Sequence, residues 1–469
     1  MQVTKLTKIV ATLGPSSESE EVIIKLIEAG VNVFRFNTKH STPEWHSKNI
    51  EQVQSIADKL GVTIGILLDL QGPEIRLETK DKKDIAVSTG QIVRVGYKFD
   101  AKTDIIIPHA GVFNLLKPGS ELLIDDGFVE TYVDKVDKEA ITIVVGNDAV
   151  IKDRKGVNLP GIDLDLPSLV ENDFRQLDIN AKNKVDFIGL SFVRSKKDIE
   201  ILQMELKKRN ISAQVVAKIE NEQALNNIDE IIDATDALMV ARGDLGVEVP
   251  IERLPYWQKT LIAKCREKNK PVITATQILE SMIQNPRPTR AEATDIAHAI
   301  FDGTDAIMLS AESASGKYPV RAVETMAKIA KYNESIRNFD TPLCSLEGPT
   351  HMVTDAAVKI AKESKDPVIG AIIVFTETGY TARSVARHRL SIPTIALTDS
   401  TKTKEALTLS YGVIPIKTDF PTGPYDSPKQ VLNDLVKANI LKRGESVVVV
   451  HGNHWQKPGN TNALAIIEL

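Results

Sequence analysis

The sequence predicts an α/β protein: a (β/α)8 TIM barrel, interrupted by a small β domain and followed by a second α/β domain. Three observations carry that expectation. Short apolar runs rich in Val and Ile alternate with amphipathic helical segments as far as residue 340. The rhythm breaks once, over residues 75–164, where no long helical pattern occurs. Polar residues gather at the C-terminal ends of the apolar runs, the face where such barrels keep their chemistry.

Taken in order, the barrel strands read 8–13 (KIVATL), 32–37 (NVFRFN), 63–69 (TIGILLD), 185–193 (VDFIGLSFV), 213–220 (AQVVAKIE), 237–244 (ALMVARGD), 270–276 (KPVITAT) and 305–312 (DAIMLSAE). Between them lie segments such as SEEVIIKLIEAG, KKDIEILQMELKKRN and WQKTLIAKCREKN, with apolar residues at helical spacing. Eight strands with intervening helices suit a closed barrel, built from 1–74 and 165–340. A doubly wound open sheet has the same local pattern, and strand count does not separate the two.

Residues 75–164 contain QIVRVGYK, ELLIDDGFVETYVDKV and AITIVVG, separated by Gly, Asp and Lys. This reads as a small β domain in a barrel loop, where lids are found, with Asp126-Gly127 as a hairpin turn. After residue 340 the alternation restarts. AIIVF, PTIAL, GVIPI and ESVVVV read as strands, with helical MVTDAAVKIAKES and PKQVLNDLVKANI among them, giving a separate domain over 341–469.

The bulk composition fits. A chain of 469 residues exceeds one ordinary core. Hydrophobic content of 42% and charge of 26% describe a globular protein. A net charge of −5 gives no reason to expect nucleic acid or an acidic membrane as partner. Cys265 and Cys344 have neither disulfide-framework nor metal-ligand spacing. The opening MQVTKLTKIV is unlike a signal peptide, and no apolar run reaches the roughly 18 residues of a membrane span. A cytoplasmic location is expected.

The chemistry concentrates in residues 213–246. Lys218 and Glu220 stand two apart at the end of one strand-like run, so they share a face. Arg242 and Asp244 end the next run in the same way. Acids and bases at adjacent strand ends suit a divalent cation and an anionic, oxygen-rich substrate. Thr12, Arg35, Asn37, Asp69, Ser191, Thr276, Ser310 and Glu312 fall at the same end of the other runs. Ser191 and Glu312 read as strand-end caps.

The chain closely resembles the pyruvate kinase family. The matching motifs are TKIVATLGPSS (7–17), LDLQGPEIR (68–76), KGVNLPG (155–161), AKIEN (217–221), MVARGDLGVE (239–248), ATQILESMI (275–283), PRPTRAE (286–292) and DGTDAIMLSAES (302–313). They occur in the family's order, and FTETGYTARSVARHR (375–389) extends the likeness more loosely. The resemblance implies a barrel, an inserted β-barrel lid and a C-terminal regulatory domain, a homotetramer, and phosphoryl transfer from phosphoenolpyruvate to ADP. It implies Glu220 and Asp244 as ligands of Mg²⁺ or Mn²⁺, and Lys218 as the ammonium that meets the phosphoryl group and the enolate oxygen. The backbone of Ala241-Arg242-Gly243, with Asp244 and Thr276, corresponds to the carboxylate cradle, and Thr276 with Ser310 to a proton relay. Arg35 and Arg76 correspond to phosphate-holding arginines, and Asn37 and His40 to the nucleotide side.

Two departures matter. The family's second strand continues R-x-N-x-S-H and its third reads L-D-T-K-G-P-E. Here Lys39 stands for the serine and Leu70 for the threonine. That serine and threonine, with the equivalents of Asn37 and Asp69, are ligands for K⁺ in the family. With residues 35, 37 and 39 alternating, an extended strand would bring Lys39 to the cation position, held by Asn37 and Asp69, and make the enzyme K⁺-independent. Against this, K⁺-independent members of the family carry lysine where Glu74 stands, and the alternative is a Lys39 that swings into solvent over a weakened cation site. In the C-terminal domain, Thr376, Thr378, Gly379 and Thr381 resemble an effector-phosphate loop, or form an ordinary strand-to-helix turn. DFPTGPYDSPKQ (419–430) lacks the family's second phosphate holders and the loop 456–462 is short, so a sugar monophosphate or nucleotide fits better than a bisphosphate.

Two other readings share parts of this pattern: a metal-dependent pyruvate-enolate aldolase, and a non-catalytic paralogue that binds phosphorylated metabolites. The lid and the GPEIR arginine weigh against the first. The intact Lys218, Glu220, Asp244 and Thr276 weigh against the second.

Overall fold

The computed structural model describes residues 5–137, 140–337, 346–420, 428–452 and 461–469. Eight parallel strands close into a barrel in sequential order: Lys8–Thr12, Val33–Asn37, Gly65–Asp69, Phe187–Leu190, Gln214–Ile219, Ala237–Ala241, Val272–Ala275 and Ala306–Leu309. The register pairs Asn37 with Asp69 and Asp69 with Gly189, so the polar ends of neighbouring strands come level. An open sheet is thereby excluded.

Both faces of every strand are buried, which is why the runs are apolar throughout rather than alternating. Val10, Val33, Leu67, Phe187, Val216, Met239, Ile273 and Met308 fill the barrel interior, with Leu409 of the C-terminal domain among them. The opposite faces pack under the helices. Local signals set the helix ends. Ser19 caps Glu20–Ala29, and Gly30, at φ 114°, ends it in a conformation other residues avoid. Thr289 and Glu292 form a reciprocal capping box on Arg290–Asp302.

Three strands end three residues earlier than the sequence suggests, the fourth barrel strand at Leu190. The sixth stops at Ala241, and Arg242–Glu248 turns into a short helix. The eighth stops at Leu309, and Ala311–Ala314 is helical. Arg242 and Asp244 therefore do not share a strand face. Asp244 reaches the site from a helical first turn.

Between the third and fourth barrel strands lies the inserted domain, a seven-stranded sheet and a two-stranded ladder around one core of its own. Its entry and exit chains pair with each other through Leu77 N–H to Lys155 O and Val157 N–H to Ile75 O. The C-terminal domain is a five-stranded sheet: Ile369–Phe375, Thr394–Thr398, Val413–Lys417 and Ser446–Gly452 are parallel, and Thr461–Glu468 runs antiparallel at one edge. That last strand has no counterpart in the sequence reading. The domain docks beneath the barrel, where Arg389 ion-pairs with Asp305 and Lys8 Nζ donates to Val413 O at 2.6 Å.

Cys265 is a fully buried core thiol. Cys344, the 340/341 domain boundary, and most of the loops 419–430 and 456–462 lie outside the described residues. No helix among the described residues is long and apolar enough to cross a membrane.

Candidate active site

At the C-terminal mouth of the barrel four charged side chains form one buried chain. Arg35 Nε and Nη2 lie 2.7 and 2.6 Å from Asp69 Oδ2. Lys218 Nζ lies 3.3 Å from Asp69 Oδ1 and 2.8 Å from Glu220 Oε1. None of the four exceeds 8% exposure. Charges this deep persist only when paired, and here they alternate in sign. Burial alone would raise the Asp69 carboxyl, but Lys218 and Arg35 outweigh it and hold it below its ordinary range. Burial likewise pulls the Lys218 ammonium down, and Asp69 with Glu220 more than reverses this, so it stays charged.

Glu220 differs. Burial pushes its carboxyl up, Lys218 opposes this, and the nearby charge of Asp244 adds to the rise. Its second oxygen accepts the Phe192 N–H at 2.6 Å. Asp244 is half-buried and lines a cleft of about 220 Å³ with Glu74, Asp126, Asn158, Arg194 and Glu248. Two carboxylates that repel one another, one of them in the wall of a cleft, are relieved by a divalent cation. Among the described residues no three His, Cys, Asp or Glu side chains form a complete metal cage. Two carboxylates completed by substrate oxygens and water are what Mg²⁺ commonly takes, so the donor set fits that ion.

Thr276 follows the seventh strand with φ 65°, an uncommon conformation for a β-branched residue and a cost on the order of 1–3 kcal/mol. Arg242 holds the turn in place. Its Nη2 donates to Thr276 O at 2.7 Å, its Nε to Ala275 O at 3.2 Å, and its Nη1 bonds Asp295 at 2.7 Å. The Arg242 guanidinium is thus engaged by the barrel wall, leaving its backbone as the part available to a substrate. Thr276 Oγ1 accepts the Gly243 N–H at 2.7 Å. Among the described residues the buried Ser310 hydroxyl has no hydrogen-bond partner, while Glu312 binds the N–H groups of Ser310 and Leu279. Glu312 is the cap its position suggests.

The expected tether of Lys39 needs correction. The second strand ends at Asn37 and the chain turns at once, so residues 35, 37 and 39 do not continue one extended face. Asn37 Oδ1 accepts the Lys39 backbone N–H at 3.2 Å, and Asp69 is engaged by Arg35 and Lys218. The Lys39 ammonium instead lies 3.7 Å from Glu74 Oε2 and 5.2 Å over the Phe192 ring centroid. Arg76 also pairs with Glu74, at 2.8 Å, and donates to Arg154 O at the base of the lid. His40 is exposed beside this group.

Three residues make contacts at the site beyond the roles their sequence positions suggest. Ser191, at a strand-end cap position, accepts a hydrogen bond from Lys218 Nζ at 2.7 Å. Asp126 makes the expected turn, at φ 55°, yet also lines the cleft. Asn158, within KGVNLPG, bonds Glu248 across it. In the C-terminal domain the Thr376 hydroxyl accepts the Gly379 N–H at 3.0 Å, and Thr381 Oγ1 lies 2.8 Å from Thr461 Oγ1.

Comparison with known proteins agrees. The family model for the pyruvate kinase barrel domain matches residues 4–323, and that for the pyruvate kinase alpha/beta domain matches 351–467. A Clostridium acetobutylicum pyruvate kinase is 40% identical over 471 residues, covering 98% of both chains. A Bacillus licheniformis pyruvate kinase is 40% identical over 467 residues, covering 98% of this chain and 80% of its own length. A solved pyruvate kinase from Cryptosporidium parvum superposes with a TM-score of 0.91 at 32% identity, covering 99% of this chain and 96% of that one. The buried ion chain, the paired carboxylates and these matches have one common explanation: the chain belongs to the pyruvate kinase family.

Proposed function

We propose that the mouth of the barrel transfers the phosphoryl group of phosphoenolpyruvate to ADP, with the Arg35–Asp69–Lys218–Glu220 chain as its electrostatic core. The observation that carries this reading is the Lys218 ammonium, buried and held charged between two carboxylates. Phosphoryl transfer needs spread negative charge neutralised at fixed positions, which such a group provides.

In this reading Arg35 and Lys218 take the phosphoryl oxygens. The P–O bond to the enol breaks, a P–O bond to ADP forms, and the electron pair stays on the enolate oxygen beside Lys218. The backbone of Ala241, Arg242 and Gly243, with Thr276, takes the substrate carboxylate. Ser310, whose hydroxyl has no partner among the described residues, passes a proton by way of Thr276 to the enolate carbon. Asn37, His40 and Arg76 face the nucleotide. Mg²⁺ or Mn²⁺ at Glu220 and Asp244 would supply further charge neutralisation when bound. The inserted domain excludes water from the transferring group. A coupled assay with phosphoenolpyruvate, ADP and Mg²⁺ tests this: pyruvate should form only with all three. No pyruvate formation would return the non-catalytic reading.

Lys39 supports a second element of the proposal. Its ammonium, held by Glu74 and Phe192 beside the nucleotide side, replaces the charge that K⁺ supplies in relatives. A homotetramer with a contact near Pro286–Arg290 is also proposed, and a monomer by light scattering at micromolar concentration would dismiss it. The loop Thr376, Thr378, Gly379 and Thr381 is proposed for a sugar monophosphate or nucleotide effector. Titration calorimetry with glucose 6-phosphate and AMP tests it, and absence of heat with both would leave a plain turn.

A further inference from the structure

We propose that Ser191 is a positioning residue for phosphoryl transfer, fixing the direction in which the Lys218 ammonium points. The proposal rests on the reading of Lys218 given above.

Ser191 is 1% exposed and stands just past the fourth barrel strand. Its hydroxyl donates to Leu70 O at 2.7 Å, so its one proton is committed. Its lone pairs are then free to accept from Lys218 Nζ, 2.7 Å away. Three oxygens surround this ammonium: Ser191 Oγ accepts its hydrogen bond, while Glu220 Oε1 and Asp69 Oδ1 pair with its charge at 2.8 and 3.3 Å. The three are not equivalent. Asp69 is shared with Arg35. Glu220 is shared with whatever cation it binds. Among the described residues Ser191 Oγ accepts from Lys218 alone, and it is neutral. It holds the ammonium without offsetting the positive charge that a phosphoryl group would meet.

The corner around it is built tightly. A Cβ at Gly72 would come 2.9 Å from Ser191 Cβ, and one at Gly189 would come 2.7 Å from Asp69 Oδ1. The hydroxyl therefore has little room to move. The next residue, Phe192, turns at φ 55° and fixes the far oxygen of Glu220 through its N–H. One short segment thus registers both Lys218 and Glu220.

The test compares Ser191→Ala and Ser191→Cys with the unmodified protein and with Lys218→Met. Misaiming a catalytic group by about 1 Å lowers rates by about 100-fold. Ser191→Ala should lower kcat by about 10- to 100-fold while KM for phosphoenolpyruvate and ADP stays within about twofold. Mn²⁺ affinity and Tm should hold. Ser191→Cys, nearly isosteric with a weaker acceptor, should fall between, and it carries the test if the alanine variant does not fold. Unchanged kcat in the alanine variant, or a rise in KM alone, would overturn the proposal. If Lys218→Met keeps its turnover, the reading of Lys218 fails. If Lys218→Met is inactive and Ser191→Ala is unimpaired, the Ser191 proposal fails alone.

Discussion

Asn158 Nδ2, on the inserted domain, donates to Glu248 Oε1, on the barrel helix that carries Asp244, at 2.9 Å. Both residues line the cleft. The bond ties the inserted domain to the element that presents a proposed metal ligand.

Asn158→Ala should therefore loosen closure without unfolding either domain. A hydrogen bond of this kind contributes about 1 kcal/mol, so KM for both substrates should rise by about fivefold. Cleavage at the lid connections by a non-specific protease should speed up as well. Steady-state kinetics and timed proteolysis check the two effects, and an unchanged value in both would show that the bond does not govern closure.

Glu220→Gln and Asp244→Asn should abolish metal-dependent turnover and leave Tm close to that of the parent. Both replacements keep shape while removing the charge a divalent ion needs. Lys218→Met should leave Mn²⁺ binding measurable and depress transfer sharply. Near-parental activity in either acid variant would mean the ion binds elsewhere.

Most of the barrel is legible because its strands are buried on both faces and therefore read as unbroken apolar runs. The turns after those strands are not. Arg242–Glu248 is too short to show helical periodicity, so Asp244 is misread as a strand residue. The strained turn at Thr276 is set by the Arg242 guanidinium, a contact no local pattern encodes. Lys39 looks toward Glu74 and Phe192 because its strand ends two residues earlier. The edge strand Thr461–Glu468 is largely half-exposed and lacks the apolar run that marks its neighbours. Chemistry-bearing residues are visible as residue types at strand ends, whereas their partners depend on packing between distant segments.

Beneath the barrel, Asp186 faces Glu405 of the C-terminal domain, beside a cavity of about 360 Å³ that Lys184 and Lys404 also line. Burial, reinforced by the Glu405 charge, pushes the Asp186 carboxyl well up. The folded protein then keeps a proton that the unfolded chain releases. Stability must fall as pH rises from the ordinary carboxyl range through the raised one. Asp186→Asn preserves an acceptor for the Ile66 N–H, 2.7 Å away, and removes the titration. Its Tm should exceed that of the parent by a few degrees at neutral pH, with the gap closing in acid. Parallel Tm–pH curves for the two proteins would rule out the carboxyl pair as the cause.

The last expectation concerns the monovalent cation. The family pattern from which this chain departs has a serine and a threonine, proposed here as K⁺ ligands, where this chain has Lys39 and Leu70. A lysine ammonium is a compact charge on a flexible stem, so it substitutes for an ion only if something fixes it. Glu74 Oε2, 3.7 Å away, and the Phe192 face supply that restraint from two sides. Rates in tetramethylammonium, Na⁺ and K⁺ buffers of equal ionic strength should then agree within about twofold, since the charge is built in. Glu74→Gln should weaken the restraint and lower kcat in all three buffers alike. Lys39→Ser combined with Leu70→Thr should restore the hydroxyls and make activity depend on K⁺. A strong rise in rate with K⁺ alone in the unmodified protein would show that an ion still binds and that Lys39 does not take its place.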